Sequence, residues 1–430
     1  MTSPRPKRDG WQLRAYLAAR PLLQPLMRAV LARRLKQGKE DPARLPEKLG
    51  QPTAARPEGR LVWLHAVGLG EVLALRPLIL ALQAEDPALS VLITSTARSS
   101  AQVLGANLPP RCVHQFLPLD GPDFLRGFLD HWRPDLSIWS EQDLWPGAIC
   151  DSAARGVPLA YVNARIGAKA AAKRARLGGL YRDVLARFAL IAAQDAGSAE
   201  HLRALGAPGV RVMRSLKPAA APLGVDAAEL ARFQTALAGR KIWVAASTHA
   251  EDEAVAIEAA RRLAAQDRSW LMILAPRVPA RAETILAALA QAGLATARRS
   301  AGEMPGPQVQ VYLADSFGEL GLWYRLARIA CVGGSFGGVG GHNPWEPVCL
   351  GLPVLSGPVT HNFAADYADL AAAGLAQRIE IGPKAGATLA RAVAETEPAA
   401  RDRARALVEA ARAELTPLAR DLRALMETAR

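Results

Sequence analysis

The sequence lacks the features of a disulfide-bonded, redox-active or zinc-binding protein. Its 430 residues include only four cysteines, and no two of them form a Cys-X-X-Cys pair. Without such a pair, neither a structural zinc site nor a redox dithiol is indicated. All four have apolar neighbours, which predicts buried free thiols in a reducing compartment. They are Cys112, Cys150, Cys331 and Cys349.

A long uninterrupted apolar run is also missing. The most apolar N-terminal stretch, residues 11–35, contains five arginines, whereas a spanning helix needs about 20 mostly apolar residues. No apolar core precedes a small-residue cleavage site, as a secretory signal would require. The sequence therefore predicts neither a membrane span nor a signal peptide.

Basic charge is concentrated at the N-terminus, where acidic residues are nearly absent. The net charge is +13, and residues 1–40 contain ten Lys or Arg against Asp9 and Glu40, which leaves +8 in this segment. Because the rest of the chain is only mildly basic, broad nucleic-acid binding is not expected. A local anionic partner is expected instead.

Residues 1–40 are predicted to form a basic amphipathic helix on an anionic membrane surface, bent by Pro21 and Pro25. The alternative is a helix that packs on its own domain. Apolar residues recur near helical spacing, with arginines between them. They are Leu13, Leu17, Leu23, Leu26, Met27, Val30 and Leu31.

From residue 61 onward, short apolar runs alternate with helical patterns, which predicts βαβ units and parallel sheets. The alternation weakens in the Pro- and Ala-rich stretch 216–240 and then restarts. We therefore expect an α/β protein with two Rossmann-like doubly wound domains, residues 41–215 and 241–430, joined by a hinge at 216–240. The terminal helix is expected to pack back on the structure. Ligands of such sheets lie at the carboxyl ends of the strands, here in a cleft between the domains.

Acidic residues follow two predicted strands of the first half. Glu71 in "HAVGLGEV" begins a helix, as a general base that faces the cleft or as a charge that stabilises the helix N-terminus. Glu141 and Asp143 in "SEQDLWP" either act at a reacting centre or cap a helix. The next strand leads into a basic stretch that is either a phosphate-binding patch or a solvated face. It comprises Arg165, Lys169, Lys173, Arg174 and Arg176.

The second half contains "CVGGSFGGVGGHNPWEP", residues 331–347, at a strand end. Glycine backbones can direct N–H groups at an anion, yet no Gly-Lys-Ser/Thr of a triphosphate-binding loop follows. Pro344 and Pro347 fix the backbone around Glu346, which suits a carboxylate that holds the two hydroxyls of a ribose. With Arg277 at another strand end, this indicates a nucleotide-activated donor. A purely structural turn is the alternative.

Motifs for a metal-bound nucleotide sugar are absent. No Asp-X-Asp lies near a strand end, and the acidic run 251–253 is expected on the solvated face of a helix. Together these patterns indicate a metal-independent glycosyltransferase of the GT-B architecture, with two Rossmann-like domains that face a cleft and no bound cofactor.

At this point the motifs resemble one family. "HAVGLGE", "EQDLWP", "VNARI", "SLK", "ASTH", "APRVPAR", "FGEL", "GGSFGGVGGHNPWEP" and "GPVTHNF" occur in the order and spacing of the 3-deoxy-D-manno-octulosonic acid (Kdo) transferases of lipid A biosynthesis. The resemblance covers nearly the whole chain, and the match around "GGHNPWEP" is specific.

This resemblance implies inverting transfer of Kdo from the donor substrate CMP-Kdo to a lipid A precursor in lipopolysaccharide biosynthesis. The reaction would take place at the cytoplasmic face of the bacterial inner membrane. Glu71 would be the general base, and Glu141 and Lys217 would stabilise the transition state. The residues expected to bind the nucleotide sugar are Pro276, Arg277, Phe317, Gly318, Glu319, Gly333, Gly334, Ser335, Gly340, Gly341, Asn343, Pro344, Trp345 and Glu346.

Some positions depart from the family pattern. Gly68, Arg214 and Val278 stand where the family has Ser, Gly and His, and "EQDLWPG" replaces a Thr-Glu pair and a following Asn. These departures lie near the expected acceptor side and around Lys217, so the donor class is better supported than the acceptor. Two other functions stay open: a GT-B enzyme or epimerase that uses a UDP-sugar, and a paralogue that binds nucleotide or lipid without turnover. No residue pattern indicates the number of Kdo units or the oligomeric state.

Overall fold

The chain folds into two compact units. The first comprises Met1–Ala220 and Ala411–Arg430, and the second comprises Ala221–Ala410. The computed structural model describes residues 9–66, 69–96, 108–141 and 143–428, and for residues 69–74 and 365 it describes the backbone only. The last helix of the chain therefore belongs to the first unit.

A seven-stranded parallel sheet forms the centre of the first unit. Its strands are β1 Leu61–His65, β2 Ser90–Ser95, β3 Cys112–Phe116, β4 Leu136–Glu141, β5 Leu159–Ala164, β6 Leu190–Ala193 and β7 Val210–Val212. The strand order is β3-β2-β1-β4-β5-β6-β7. Strands β1, β2, β4 and β5 are buried along their whole length, as their continuous apolar runs predict for a parallel sheet covered by helices.

The helices of the first unit are Trp11–Lys36, Leu45–Lys48, Leu69–Glu85, Pro122–Trp132, Pro146–Ala154, Ala168–Ala175, Leu180–Leu185, Ala196–Ala204 and Leu415–Thr428. The C-terminal helix packs on the helix Leu69–Glu85. Its buried residues recur at helical spacing and complete the core on that side of the sheet. They are Leu415, Leu418, Leu422 and Met426.

The N-terminal helix Trp11–Lys36 packs on the first unit through one face. The buried Arg20 guanidinium donates to both carboxylate oxygens of Asp151, at 2.8 and 3.1 Å, and its Nε donates to the backbone oxygen of Asp120 at 2.7 Å. The opposite face carries exposed apolar side chains, namely those of Trp11, Leu22, Leu23, Leu26 and Val30. Packing on its own domain is thus confirmed, and membrane contact stays a prediction.

A second seven-stranded parallel sheet forms the centre of the second unit. Its strands are β8 Lys241–Thr248, β9 Trp270–Pro276, β10 Thr296–Arg298, β11 Val311–Leu313, β12 Ala330–Val332, β13 Val354–Ser356 and β14 Ala376–Arg378. They lie in the order β10-β11-β9-β8-β12-β13-β14. The helices are Ala227–Ala236, Ala250–Gln266, Ala282–Gln291, Leu320–Leu326, Trp345–Val348, Ala364–Ala372, Ala385–Ala394 and Ala399–Ala413.

The predicted fold class is confirmed, because each unit contains a doubly wound parallel sheet. The strand order reverses between β1 and β4 and again between β8 and β12, which are the points where such sheets bind ligands. The stretch 216–240, predicted as a hinge, contains the helix Ala227–Ala236, capped by the Asp226 carboxylate. No described helix is long and apolar enough to cross a membrane.

The cysteines are free, as predicted, but only two of them are fully buried. Cys150 and Cys331 lie in the core, whereas Cys112 and Cys349 are half-buried. Burial raises the pKa of Cys112 and of Cys150 to about 12. Both thiols are therefore protonated and unreactive at neutral pH.

Candidate active site

Strained backbone marks the carboxyl ends of three strands. Glu141, Asn163 and Ser247 have left-handed φ values of 59°, 48° and 55°, and the strand register shifts beside each of them. Such a conformation costs a non-glycine residue about 1–3 kcal/mol, so its retention at a strand end suits residues held for function. Two of these residues lie in the first unit and one in the second.

Glu141 ends β4 with its side chain almost completely buried. The Asn163 amide donates to Glu141 Oε1 at 2.9 Å, and the Tyr161 hydroxyl donates to the Glu141 backbone oxygen. The Oδ1 atom of Asn163 accepts a hydrogen bond from the backbone N–H of Leu216 at 3.2 Å. Asn163 therefore connects Glu141 to the turn that begins at Lys217.

A buried histidine lies at the end of β1, beside β4. His65 Nδ1 is 3.0 Å from Thr94 Oγ1, and its Nε2 is 3.3 Å from a carboxylate oxygen of Asp143. Burial opposes ionisation of Asp143, but the His65 hydrogen bond and the nearby Arg174 charge outweigh burial and lower the Asp143 pKa. The first unit thus holds two acids at the end of β4, Glu141 and Asp143, and the second of them contacts His65 at the end of the adjacent strand β1.

The basic stretch after β5 does not act as one patch. Arg174 is half-buried, with its guanidinium 5.0 Å from the Tyr181 ring, and its charge acts on Asp143. Lys169, Lys173 and Arg176 are exposed. The structure therefore brings one of these predicted basic residues toward the acids and leaves three in solvent.

Glu71 lies in the first turn of the helix Leu69–Glu85. This helix follows β1 in the chain, so its N-terminus lies at the sheet edge where β4 ends in Glu141. The Glu71 side chain and the whole of Gly68 lie outside the described residues. The proposed base therefore stays a prediction.

A cavity of about 730 Å³ runs along the N-terminal helix. One end is polar: Lys48 Nζ lies 2.5 Å from Glu40, and Glu40 also pairs with Arg34. The remainder is mostly apolar, so the cavity suits an amphiphile better than a soluble sugar. Its apolar lining residues are Leu23, Leu26, Met27, Val30, Leu31, Leu117, Leu119 and Trp145.

A smaller cavity of about 310 Å³ lies in the second unit at the carboxyl ends of β8, β9 and β12. Its size is at the lower end of the range for small-molecule sites. The rim of this cavity comes from strand ends and from the loops that follow them. The residues of the rim are Ser247, Pro276, Arg277, Ser316, Phe317, Gly318, His342, Asn343 and Glu346. An apolar wall includes Leu320, Trp323, Tyr324 and Phe363.

Six of the predicted nucleotide-binding residues line this cavity: Pro276, Arg277, Phe317, Gly318, Asn343 and Glu346. The other predicted residues do not. Glu319 pairs with Arg299 at 2.5 Å, and the buried Trp345 donates its indole N–H to Asp366 at 2.8 Å. The remaining residues outside the lining are Gly333, Gly334, Ser335, Gly340, Gly341 and Pro344.

The glycine-rich loop binds an anion that belongs to the chain itself. The buried Asp252 carboxylate accepts hydrogen bonds from the backbone N–H groups of Gly334, Ser335 and Phe336 at 2.7, 3.1 and 3.0 Å. A fourth comes from the His249 N–H at 2.8 Å. Two expectations are corrected here. These N–H groups hold Asp252 rather than facing a phosphate, and Asp252 and Glu253 of the 251–253 run are buried rather than solvated.

Close packing explains why this loop requires glycine. A Cβ at Gly333 would lie 2.5 Å from the backbone oxygen of Ser247, and Gly334 and Gly341 have φ values of 70° and 80°. No larger residue fits between the loop and the end of β8 without a shift of backbone. The glycines thus let the loop approach a strand rather than a ligand.

A cation and a carboxylate, Arg277 and Glu346, line the cavity of the second unit. Among the described residues, no carboxylate lies within ion-pair distance of the Arg277 guanidinium. Burial raises the pKa of Glu346, and the Arg277 charge and a hydrogen bond from Asn343 partly offset that effect. The cavity can therefore bind an anion at Arg277 and hydroxyl groups at Glu346 and Asn343. The described part of the chain contains no group of three potential metal ligands.

Sequence reasoning missed several residues at these sites: His65, Asn163, Ser247, Asp252, His249 and His342. All except Asp252 lie at or just after a strand end or beside the glycine-rich loop, within "HAV", "VNARI", "ASTH" and "GGHN". This position, at a strand end or beside the glycine-rich loop, is the sequence signal that could have identified them as site residues. For Asp252 the sequence offers none, because the loop that it binds lies about 80 residues further along the chain.

Comparisons with known proteins agree with this architecture. Residues 43–220 match the family model described as "3-Deoxy-D-manno-octulosonic-acid transferase (kdotransferase)". A 3-deoxy-D-manno-octulosonic acid transferase of Bordetella pertussis is 37% identical over 86% of this chain and 85% of its own length. One from Rickettsia bellii is 32% identical over 80% of this chain and 82% of its own.

A solved structure has the same fold. UDP-GlcNAc 2-epimerase from Neisseria meningitidis aligns with a TM-score of 0.53 over 80% of this chain and 94% of its own, at 15% identity. At that identity the likeness concerns the fold alone. The two transferase relatives, matched over most of their length, confirm the family predicted from the motifs. The chain therefore belongs to the 3-deoxy-D-manno-octulosonic acid (Kdo) transferase family.

Proposed function

We propose that the protein transfers Kdo from CMP-Kdo to a lipid A precursor in lipopolysaccharide biosynthesis, with inversion at the anomeric carbon. One observation carries this proposal. In a chain of the Kdo transferase family, Arg277, Asn343 and Glu346 converge on a cavity at the switch point of the second sheet. Their chemistry fits a nucleoside monophosphate.

The donor would bind with its phosphate at Arg277, which forms no ion pair with a described carboxylate. Glu346 would accept hydrogen bonds from the ribose hydroxyls, and the Asn343 amide would donate hydrogen bonds to them. Phe317 lies at the rim with 73% of its side chain exposed. An exposed ring in that position supports stacking on the cytosine.

Transfer exchanges one bond at the anomeric carbon of Kdo. The acceptor oxygen bonds to this carbon, the carbon–phosphate oxygen bond breaks, and CMP leaves with the bonding electron pair. Glu71 would take the proton of the acceptor hydroxyl. Lys217 would offset the negative charge of the phosphate or of the Kdo carboxylate. Glu141, held by Asn163, would stabilise the oxocarbenium-like centre.

The acceptor would be amphiphilic and reach the enzyme from a membrane. The apolar cavity beside the N-terminal helix supports a lipid acceptor, and the exposed stripe of Trp11, Leu22, Leu26 and Val30 supports binding to a bilayer surface. The exposed Arg14, Arg28 and Arg33 of this helix would contact anionic lipid headgroups. We propose that the protein acts at the cytoplasmic face of the inner membrane, as the resemblance to the family implies, and the helix surface supports contact with a membrane.

Incubation with CMP-Kdo, generated in the assay, and a lipid A precursor tests the proposal. The product mass should increase by one or more Kdo units, and Glu71→Gln should abolish that increase while CMP still raises the melting temperature. If UDP rather than CMP stabilises the protein, it is a UDP-sugar enzyme of the same fold. If CMP binds and no transfer occurs, the protein is a binding paralogue.

A further inference from the structure

Two histidines meet at the edge of the second-unit cavity. His249 precedes the helix Ala250–Gln266 at the end of β8, and His342 follows the glycine-rich loop and lines the cavity. Their Nε2 atoms are 3.0 Å apart. The ring planes differ by only 8° and the centroids are 5.3 Å apart. The centroid distance exceeds the N···N distance by about two ring radii, so the bond lies in the plane of both rings.

An in-line N–H···N bond requires that one Nε2 carries hydrogen and the other does not. The closed pair is neutral when each ring carries one hydrogen. It holds one positive charge when the Nδ1 of the donor ring is protonated as well, and the bond then remains intact. A proton added to the second Nε2 would instead set two N–H groups against each other, and the pair would open and release N–H donors with a positive charge.

The groups around His342 favour its neutral form in the empty cavity. Burial lowers the pKa of His342, the neighbouring His249 and Arg277 lower it further, and Asp252 acts in the opposite direction. Asp252 is already bound to four backbone N–H groups. The other titratable groups nearby are Glu346 in the cavity wall, Tyr367, whose hydroxyl donates to the His342 oxygen, and His361 beside Gly340.

A phosphate in the cavity would reverse this balance. Arg277, which now disfavours the charge on His342, would be neutralised by the phosphate, and the phosphate oxygens would accept the released N–H groups. The strained Ser247 lies in the same wall, immediately before Thr248 and His249. Arg277, His342 and the strained Ser247 therefore line the same cavity, with His249 bonded to His342 behind them.

We propose that the His249–His342 pair and Arg277 form the phosphate subsite of the donor cavity, and that the pair takes up a proton when phosphate binds. The proposal rests on the function proposed above. Its consequence for catalysis concerns the leaving group. When the sugar–phosphate bond breaks, the electron pair stays on the phosphate, which becomes a monoester with one more negative charge. The protonated pair would stabilise that charge.

The other reading is that the pair only fastens the glycine-rich loop to the helix. If the pair has only this structural role, nucleotide binding would not change the number of protons bound to the protein. Proton uptake therefore separates the two readings, and it can be measured on the unmodified protein.

Calorimetric titration with CMP in two buffers of different ionisation enthalpy measures this uptake. The titration is run at pH 7.5, where the CMP phosphate, with a second pKa of about 6, is already a dianion. We expect net proton uptake with CMP and none with cytidine. His249→Gln should abolish the uptake and weaken CMP binding roughly ten- to hundredfold, with cytidine binding unchanged. The matched control His361→Gln should behave like the wild type.

The outcomes are distinct. If the wild type binds CMP without taking up protons, or if His249→Gln retains the uptake, the subsite proposal is wrong and the donor assignment stands. If the wild type does not bind CMP at all, the proposed function fails as well. Should His249→Gln not fold, His342→Gln and histidine-ring NMR titration of the wild type, with and without CMP, decide the matter. Ring resonances that show both His249 and His342 neutral in the CMP complex would overturn the inference.

Discussion

Replacing Asp252 by Asn tests what holds the glycine-rich loop in place. In the native protein both carboxylate oxygens accept two backbone N–H groups each, from His249 and Gly334 on one oxygen and from Ser335 and Phe336 on the other. An asparagine has one oxygen and one NH₂ group. Whichever way the amide turns, two N–H groups lose their acceptor and face a donor.

The cost follows from those two lost bonds. A hydrogen bond to a charged group contributes about 1.5–3 kcal/mol to stability, so the loss is about 3–6 kcal/mol. For a unit of this size, each kcal/mol lowers the melting temperature by about 2–4 °C. At the lower estimate we expect a decrease of about 6–12 °C in the transition of the second unit.

Differential scanning calorimetry measures this transition, and amide hydrogen exchange locates the effect. The amides of residues 333–337 should exchange much faster in Asp252→Asn, while those of β4 in the first unit should not change. Glu251→Gln is the matched control, because it removes the exposed carboxylate next to Asp252 and should cost less than about 0.5 kcal/mol. If Asp252→Asn unfolds within 1 °C of the wild type, the loop does not depend on Asp252 and our account of its glycines is wrong.

Three further predictions concern the first unit. Asn163→Ala should lower the rate of Kdo transfer roughly tenfold to hundredfold by releasing Glu141. Asn163→Asp keeps the acceptor for the Leu216 N–H but places a second carboxylate beside Glu141. This variant should also shift the pH–rate profile. Equal losses of rate in both variants, independent of pH, would indicate a merely structural role for Asn163. The double variant Leu22→Glu/Leu26→Glu should reduce co-sedimentation with anionic vesicles at an unchanged melting temperature. The control Ile381→Glu, at an exposed apolar site of the second unit, should not reduce it. If the double variant still binds the vesicles, the exposed stripe of the N-terminal helix is not the membrane contact. The Asp143 pKa is lowered in the folded chain. Ionised Asp143 therefore stabilises the fold at pH values above its unfolded pKa of about 4. This stabilisation is lost as the pH falls through the folded pKa. Chemical denaturation at pH 5 and pH 3 should therefore show a smaller loss of stability in Asp143→Asn than in the wild type, and an equal loss would contradict the lowered pKa.

The fold could be predicted from the sequence because the patterns that indicate strands and helices lie within short stretches of the chain. Continuous apolar runs of five to eight residues between helical patterns can form buried parallel strands and little else. The edge strands β7, β10 and β14 were not predicted. Each has three residues of which at most one is buried, so none carries the continuous apolar run that marks the central strands.

The sites were predicted less completely because they depend on contacts between distant segments. Glu141 and Arg277 were found because they end strands. The role of Asn163 depends on Leu216, 53 residues away, and no motif spans that distance. The run 251–253 was wrongly predicted to be solvated for a related reason. Consecutive acidic residues in a helical pattern indicate an exposed face, and only the folded chain shows that the distant glycine-rich loop covers Asp252.

The return of the C-terminal helix to the first unit has a consequence for synthesis. The sheet of the first unit cannot be covered on the side of Leu69–Glu85 until residues 415–428 have been made, and all 190 residues of Ala221–Ala410 come before them. At about 5–20 residues per second, the ribosome needs about 10–40 s to translate that insertion. During that interval the apolar side chains that pack on the C-terminal helix in the folded first unit remain uncovered by it.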